Sequence, residues 1–168
     1  MLKNGFGMRV TAFDIFPELD KEFLPLTDRY TNDYFDAVGD ADYISLHMNV
    51  SDTTRNFIDA GRISGMKPGA CLINTARGAL VNEDDLYDAL AAGTLGGAAL
   101  DVYTEEPYRP SARERDLRKL PNVVLTSHCG SNTRESNSRM AEACIANVQA
   151  WYGRDPGKLV LIPEMLRP

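Results

Sequence analysis

The sequence predicts an α/β fold built on a doubly wound, mostly parallel sheet. Two observations carry that prediction. Short apolar runs alternate with segments of helical periodicity along the whole chain. The runs are also apolar on both alternating faces, as in strands covered by helices on either side. The first run is Met8–Phe13 (MRVTAF), which ends at Asp14; a short helix over Asp33–Gly39 follows. Tyr43–His47 (YISLH) and Ala70–Asn74 (ACLIN) are the next strands. A helix spans Asn82–Ala92, where Asn82 is the cap, Leu86, Ala89 and Leu90 share a face, and Gly93 is the stop. Glu83, Asp84 and Asp85 sit in its first turn, where the helix dipole favours negative charge. Gly97–Val102 (GAALDV) and Val123–Thr126 (VVLT) complete the strands. The polar stretch Tyr103–Leu120 reads as a long loop with one short helix, and Thr133–Tyr152 as a long helix with Met140, Cys144, Val148 and Trp151 at helical spacing.

Composition bounds the function classes. The 168 residues suit one domain, with 43% hydrophobic and 25% charged residues, close to an ordinary globular protein. A net charge of −6 argues against nucleic acid or an anionic membrane as partner, because it offers no overall neutralisation of phosphates. No stretch approaches the about 18 apolar residues of a membrane span. Cys71, Cys129 and Cys144 are odd in number and form no C-x-x-C pair, which points away from a disulfide framework or a zinc site and towards a reducing, cytoplasmic setting.

In an open α/β sheet, ligands bind at the carboxyl ends of the strands. Those ends here are Asp14, His47, Asn74–Gly78, Asp101–Glu106 and Thr126–Ser131, the polar segments of the chain. Arg77 offers a planar guanidinium fork that matches a carboxylate, and Gly78 allows close backbone approach; a surface arginine at a strand–loop junction is the plain alternative. Glu106 and His128 form a candidate acid/base pair. A carboxylate on one imidazole nitrogen fixes the tautomer, favours the imidazolium and leaves the other nitrogen to exchange a proton. Their alternatives are a solvated histidine and an acidic loop residue. Asp14 can accept from ribose hydroxyls or simply form a turn. Asp101 can hold a nicotinamide amide or cap the loop after its strand. His47, with Asn49 and Thr53, either lines a cofactor groove or is structural. A thiol-nucleophile role for Cys129 has no partner geometry to support it.

Three ordered motifs then carry a resemblance. Asn74-Thr75-Ala76-Arg77-Gly78, Ala99-Leu100-Asp101-Val102 followed by Glu106-Pro107, and Leu120-Pro121-Asn122-Val123 leading to His128 resemble the D-isomer-specific 2-hydroxyacid dehydrogenases. That family includes phosphoglycerate, D-lactate and glyoxylate/hydroxypyruvate enzymes. The resemblance runs from about Gly7 to Gly153. It implies a Rossmann-like nucleotide domain and hydride transfer between NAD(H) and a D-2-hydroxy or 2-keto acid. It further implies that Arg77 grips the substrate carboxylate and that His128, hydrogen-bonded to Glu106, exchanges the proton. Asp14 would hold the adenosine ribose and Asp101 the carboxamide. His47, Asn49, Thr53, Thr75, Ala76 and Gly130, with Arg77 and His128, would line the NAD groove. Glu106 distinguishes the chain from the related formate dehydrogenases, which carry an amide there. The family commonly dimerises through this domain, so a homodimer is expected.

The chain departs from the family pattern in three ways. No G-x-G-x-x-G occurs; Gly5-Phe6-Gly7-Met8-Arg9-Val10 looks like the end of the helix after that motif, so the sheet is expected to lack its first strand and pyrophosphate turn. Residues 1–153 then form a partial NAD-binding domain and residues 154–168 a tail towards a substrate domain not in the sequence. Ser127 and Asn49 stand where the family commonly has proline. On this reading Met8–Phe13 and Tyr43–His47 each leave an unpaired edge, and the 168-residue chain alone binds NAD poorly. A non-catalytic, corepressor-like NAD-fold module and an inactive fragment remain as alternatives.

Overall fold

The computed structural model describes residues 1–16 and 24–159. Two compact units divide the chain, Met1–Ser127 and His128–Pro168. Among the described residues, six strands lie in the first: β1 Thr11–Phe13, β2 Arg29–Thr31, β3 Tyr43–Leu46, β4 Cys71–Asn74, β5 Gly97–Leu100 and β6 Val123–Leu125. Every pairing among them is parallel. They form two sheets, β1-β2 and β3-β4-β5-β6. Among the described residues β1 and β2 pair only with each other, and β3 and β6 are the outer strands of the four-stranded sheet.

Each expected strand is present but shorter. Residues 8–10 precede β1 rather than extending it, and His47, Val102 and Thr126 fall just outside their strands. β2 was not expected. Its three residues, one of them Arg29, carry no apolar run for periodicity to detect, and it forms by pairing Tyr30 with Ala12 of β1. The tail Leu159–Pro168 reads from its sequence as a short strand and a loop; of it, residues 160–168 lie outside the described residues.

Helices are α1 Leu2–Phe6, α2 Tyr34–Val38, α3 Ala60–Ser64, α4 Glu83–Ala91 and α5 Arg134–Tyr152. α1 stops at Gly7, whose φ of 64° suits a residue without Cβ. Side-chain caps start the other four. Asp33 accepts from Phe35 and Asp36 N–H, Asp59 from Arg62, Asn82 from Asp84 and Asp85, and Thr133 from Ser136. The loop 103–120 contains one 3-10 turn, Leu117–Lys119.

One core serves the four-stranded sheet. Ile44, Leu46, Leu72, Ala98 and Leu100 meet Val38 of α2, Ile63 of α3 and Leu86 and Leu90 of α4, with Ile58, Leu80, Leu95 and Leu117 filling between. The two-stranded sheet joins it through aromatic rings. Phe13 of β1 lies 5.9 Å from Tyr34 of α2 and 6.3 Å from Phe57, and Tyr34 and Phe57 meet edge-to-face at 5.5 Å. The Arg62 guanidinium sits 4.0 Å above the Phe57 ring. Burial pushes the Tyr34 phenol up to about 12, and its hydroxyl donates to the Arg62 carbonyl at 3.3 Å.

In the second unit α5 presents Met140, Ile145, Val148 and Trp151 as exposed apolar residues.

The core makes a contrast testable by urea unfolding. Leu72→Ala, at a fully buried site, destabilises by about 2–5 kcal/mol. Val124→Ala on exposed β6 changes stability by less than about 0.5 kcal/mol. Equal midpoints for the two variants would place the core elsewhere.

Candidate functional site

The loops that carry the candidate residues of the first unit all leave the carboxyl ends of parallel strands. Asp14 follows the two-stranded sheet and the others follow strands of the four-stranded sheet, at the strand ends where doubly wound folds bind ligands.

The turn after β4 is held from within. Asn74, the last residue of β4, is 1% exposed. Its Nδ2 donates to the Arg77 carbonyl at 2.9 Å, and its Oδ1 accepts from Ala76 N–H at 3.1 Å. Its own carbonyl accepts from Asp101 N–H at 3.0 Å, tying the end of β4 to the end of β5. Thr75 and Arg77 are exposed at this turn, and Ala76 is half-buried. Arg77 has extended backbone geometry and starts a 3-10 turn over Gly78–Leu80. One guanidinium nitrogen donates to the Ala76 carbonyl at 2.6 Å.

Gly78 then packs directly on the loop after β5. A Cβ there would overlap the Tyr103 carbonyl and the Thr104 nitrogen, so only glycine fits. The loop itself is pinned at several points. Tyr103 donates its hydroxyl to the carbonyls of Leu100 and Thr126, at 3.2 and 2.5 Å. Glu106 is exposed, and its Oε1 accepts from Tyr103 N–H at 3.2 Å. Glu83 at the start of α4 accepts from Thr104 N–H at 2.6 Å. Asp101 is buried and accepts from the Thr126 hydroxyl, which joins the ends of β5 and β6.

The remaining candidates stand on neighbouring ends. Asp14 follows β1, donates its N–H to the Thr31 carbonyl and accepts from Phe16 N–H at 3.2 Å, so the turn-forming role is realised. His47 is exposed beyond β3, with Nε2 2.9 Å from the Ser45 hydroxyl. Asn49 and Thr53 belong to the next turn, where the Asn49 carbonyl accepts from Thr54 Oγ1 at 2.7 Å and Thr53 Oγ1 lies 3.0 Å from Ser51 Oγ. His128 opens the second unit with φ 51°, a left-handed conformation that turns the backbone sharply after β6, and Gly130 follows it. No group of three or more His, Cys, Asp or Glu side chains able to hold a metal occurs among the described residues.

Thus Arg77 and Glu106 stand on loops that touch through Gly78 within one unit, while His128 and Gly130 belong to the other. Asn74, Glu83 and Tyr103 were not singled out from the sequence, though all three hold these loops. A polar residue closing the apolar run ACLIN was the available signal for Asn74. Glu83 read only as a dipole-matching helix acid.

Two substitutions test this junction. Gly78→Ala forces the two loops apart and lowers stability by roughly 3 kcal/mol. Asn74→Ala strands the Arg77 carbonyl and Ala76 N–H and costs roughly 1–3 kcal/mol. Thermal unfolding that leaves both variants as stable as the parent would contradict the packing described.

Comparison with known proteins bears on the same residues. Residues 1–130 match the family model described as D-isomer specific 2-hydroxyacid dehydrogenase, NAD binding domain. The chain is 39% identical over 160 residues to a glyoxylate reductase of Thermococcus litoralis, covering 94% of this chain and 46% of that protein. It is 37% identical over 157 residues to a glycerate dehydrogenase of Methylorubrum extorquens, with the same two coverages. The crystal structure of D-lactate dehydrogenase with NAD+ from Lactobacillus jensenii superposes with a TM-score of 0.77 at 29% identity, covering 93% of this chain and 49% of that one. The chain spans about half the length of the relatives it matches. With its all-parallel strands and its polar loops at the carboxyl ends of those strands, the chain belongs to the D-isomer-specific 2-hydroxyacid dehydrogenase family, in that family's NAD-binding domain.

Proposed function

We propose that this chain is the nucleotide-binding and catalytic part of an NAD-dependent D-2-hydroxyacid dehydrogenase. The observation that carries the proposal is the Arg77–Gly78 turn seated on the loop that holds Glu106, at the carboxyl edge of a parallel sheet. The names of the relatives, a glyoxylate reductase and a glycerate dehydrogenase, support small 2-hydroxy and 2-keto acids as the substrate class.

The donor set suits NAD. Asp14 ends β1 with a carboxylate, which accepts from ribose hydroxyls and disfavours a 2′-phosphate. Asp101, at the end of β5, would meet the carboxamide. His47, Asn49, Thr53, Thr75, Ala76 and Gly130 would line the groove along the other loop ends. When bound, NAD(H) supplies or accepts the hydride exchanged with substrate C2.

The chain's own residues do the rest. Arg77 binds the substrate carboxylate, and its charge draws electron density toward the carbonyl oxygen. In reduction, His128 gives a proton to the C2 oxygen; in oxidation, it takes one back. Glu106 accepts the other imidazole N–H and keeps the ring in one tautomer and orientation. The reading takes residues 1–153 as one functional domain. The exposed apolar residues of α5 support a homodimer, and three cysteines that form no disulfide among the described residues support a reducing, cytoplasmic compartment.

NADH consumption by the complete protein, with glyoxylate, hydroxypyruvate and pyruvate, tests the proposal. His128→Gln lowers kcat by about 10²–10⁴-fold while leaving NADH affinity intact. Arg77→Gln raises KM for the keto acid and lowers kcat as well. Turnover unaffected by either change would remove these residues from the mechanism.

A further inference from the structure

The acids that open α4 do more than complement a helix dipole. Asp85 accepts from Ala60 N–H at 2.9 Å and so reaches the start of α3. Asp84 accepts from the Ser111 hydroxyl and, at 3.9 Å, faces the Arg115 guanidinium. Glu83 reaches the loop that carries Glu106. Its Oε1 accepts from Thr104 N–H at 2.6 Å, two residues before Glu106. The same stretch of backbone is pressed from the other side by Gly78 and bonded through Tyr103 N–H to the Glu106 carboxylate at 3.2 Å. Three constraints therefore converge on one pair of residues, Tyr103 and Thr104. Two come from the segments that carry Arg77 and Glu106, and the third comes from Glu83.

We propose that Glu83 is a positioning residue of the acid/base machinery: by accepting the Thr104 N–H, its side-chain oxygen fixes the backbone from which Glu106 projects. This rests on the proposed role of Glu106 beside His128. An acid in the first turn of a solvated helix would keep its carboxylate in water. Glu83 is instead half-buried against the loop, and that burial pushes its carboxyl above the usual carboxylate range despite the bond from Thr104. The placement is costly for a helix-start glutamate and useful for a loop anchor.

An acceptor oxygen is what the tie requires, and a full charge is not. Gln keeps the acceptor; Met keeps the length and helix propensity but loses it. In the complete protein, E83M lowers kcat about tenfold, while KM for the keto acid and Kd for NADH stay within about twofold. E83Q restores kcat to within about twofold of the parent. Hydrogen exchange gives an independent readout: the Thr104 amide exchanges faster in E83M and at the parental rate in E83Q. Should the Met variant not fold, Glu83→Ala gives the same comparison with Gln. Parental kcat and parental Thr104 exchange in E83M would overturn the proposal, as would an E83Q variant as impaired as E83M. If the parent turns over no 2-keto acid, the catalytic reading fails instead. Amide exchange then still decides whether Glu83 holds the loop.

Discussion

Residue 78 has no room for a side chain because the backbone of Tyr103 and Thr104 occupies that space. The contact joins the two loops that carry Arg77 and Glu106, and most of the site depends on it. Backbone against backbone is a stiff form of contact, since neither partner has a rotamer to adjust. Both loops are then fixed from behind. Asn74 holds the first by its side chain and the root of the second by its carbonyl. Tyr103 holds the second to β5 and to the residue after β6. The loops that carry a guanidinium and a carboxylate are thereby kept in place by the buried Asn74 and Tyr103.

The sheet supplies the other constraint. Parallel pairing brings the ends of β3, β4, β5 and β6 to one edge, so polar segments separated by tens of residues emerge side by side. β1 and β2 form their own pair and carry Asp14, with the rings of Phe13, Tyr34 and Phe57 linking that pair to the main core.

Much of this was legible in the residues, for identifiable reasons. β3 to β6 announce themselves as short apolar runs, although burial on both faces is realised only in β5, since Tyr43 and Ser45 of β3 and Val124 of β6 are exposed; the caps at Asn82 and Thr133 place their helices because a short polar side chain must meet the first free N–H groups. Arg77 and Glu106 could be singled out because strand ends are where polar residues become useful. β2 (RYT) and α3 (AGRIS) escaped notice because neither contains a run of apolar residues, and they exist through tertiary pairing and a single cap at Asp59 respectively. Glu83 and Tyr103 escaped because their value lies in partners 21 and 23 residues away, at Thr104 and Thr126. Local patterns carry no record of such contacts. Asp14 shows the opposite case, where one residue serves the turn the structure displays and the ribose contact the proposal requires.

Hydride exchange at C2 of a 2-keto acid is tested by the fate of deuterium when the complete protein reduces hydroxypyruvate with NADH deuterated at the transferable position of nicotinamide C4. The expected product is D-glycerate carrying one deuterium at C2, formed about 10²–10⁴-fold more slowly by the His128→Gln variant. Product without deuterium at C2, or of the L configuration, would contradict the proposed function.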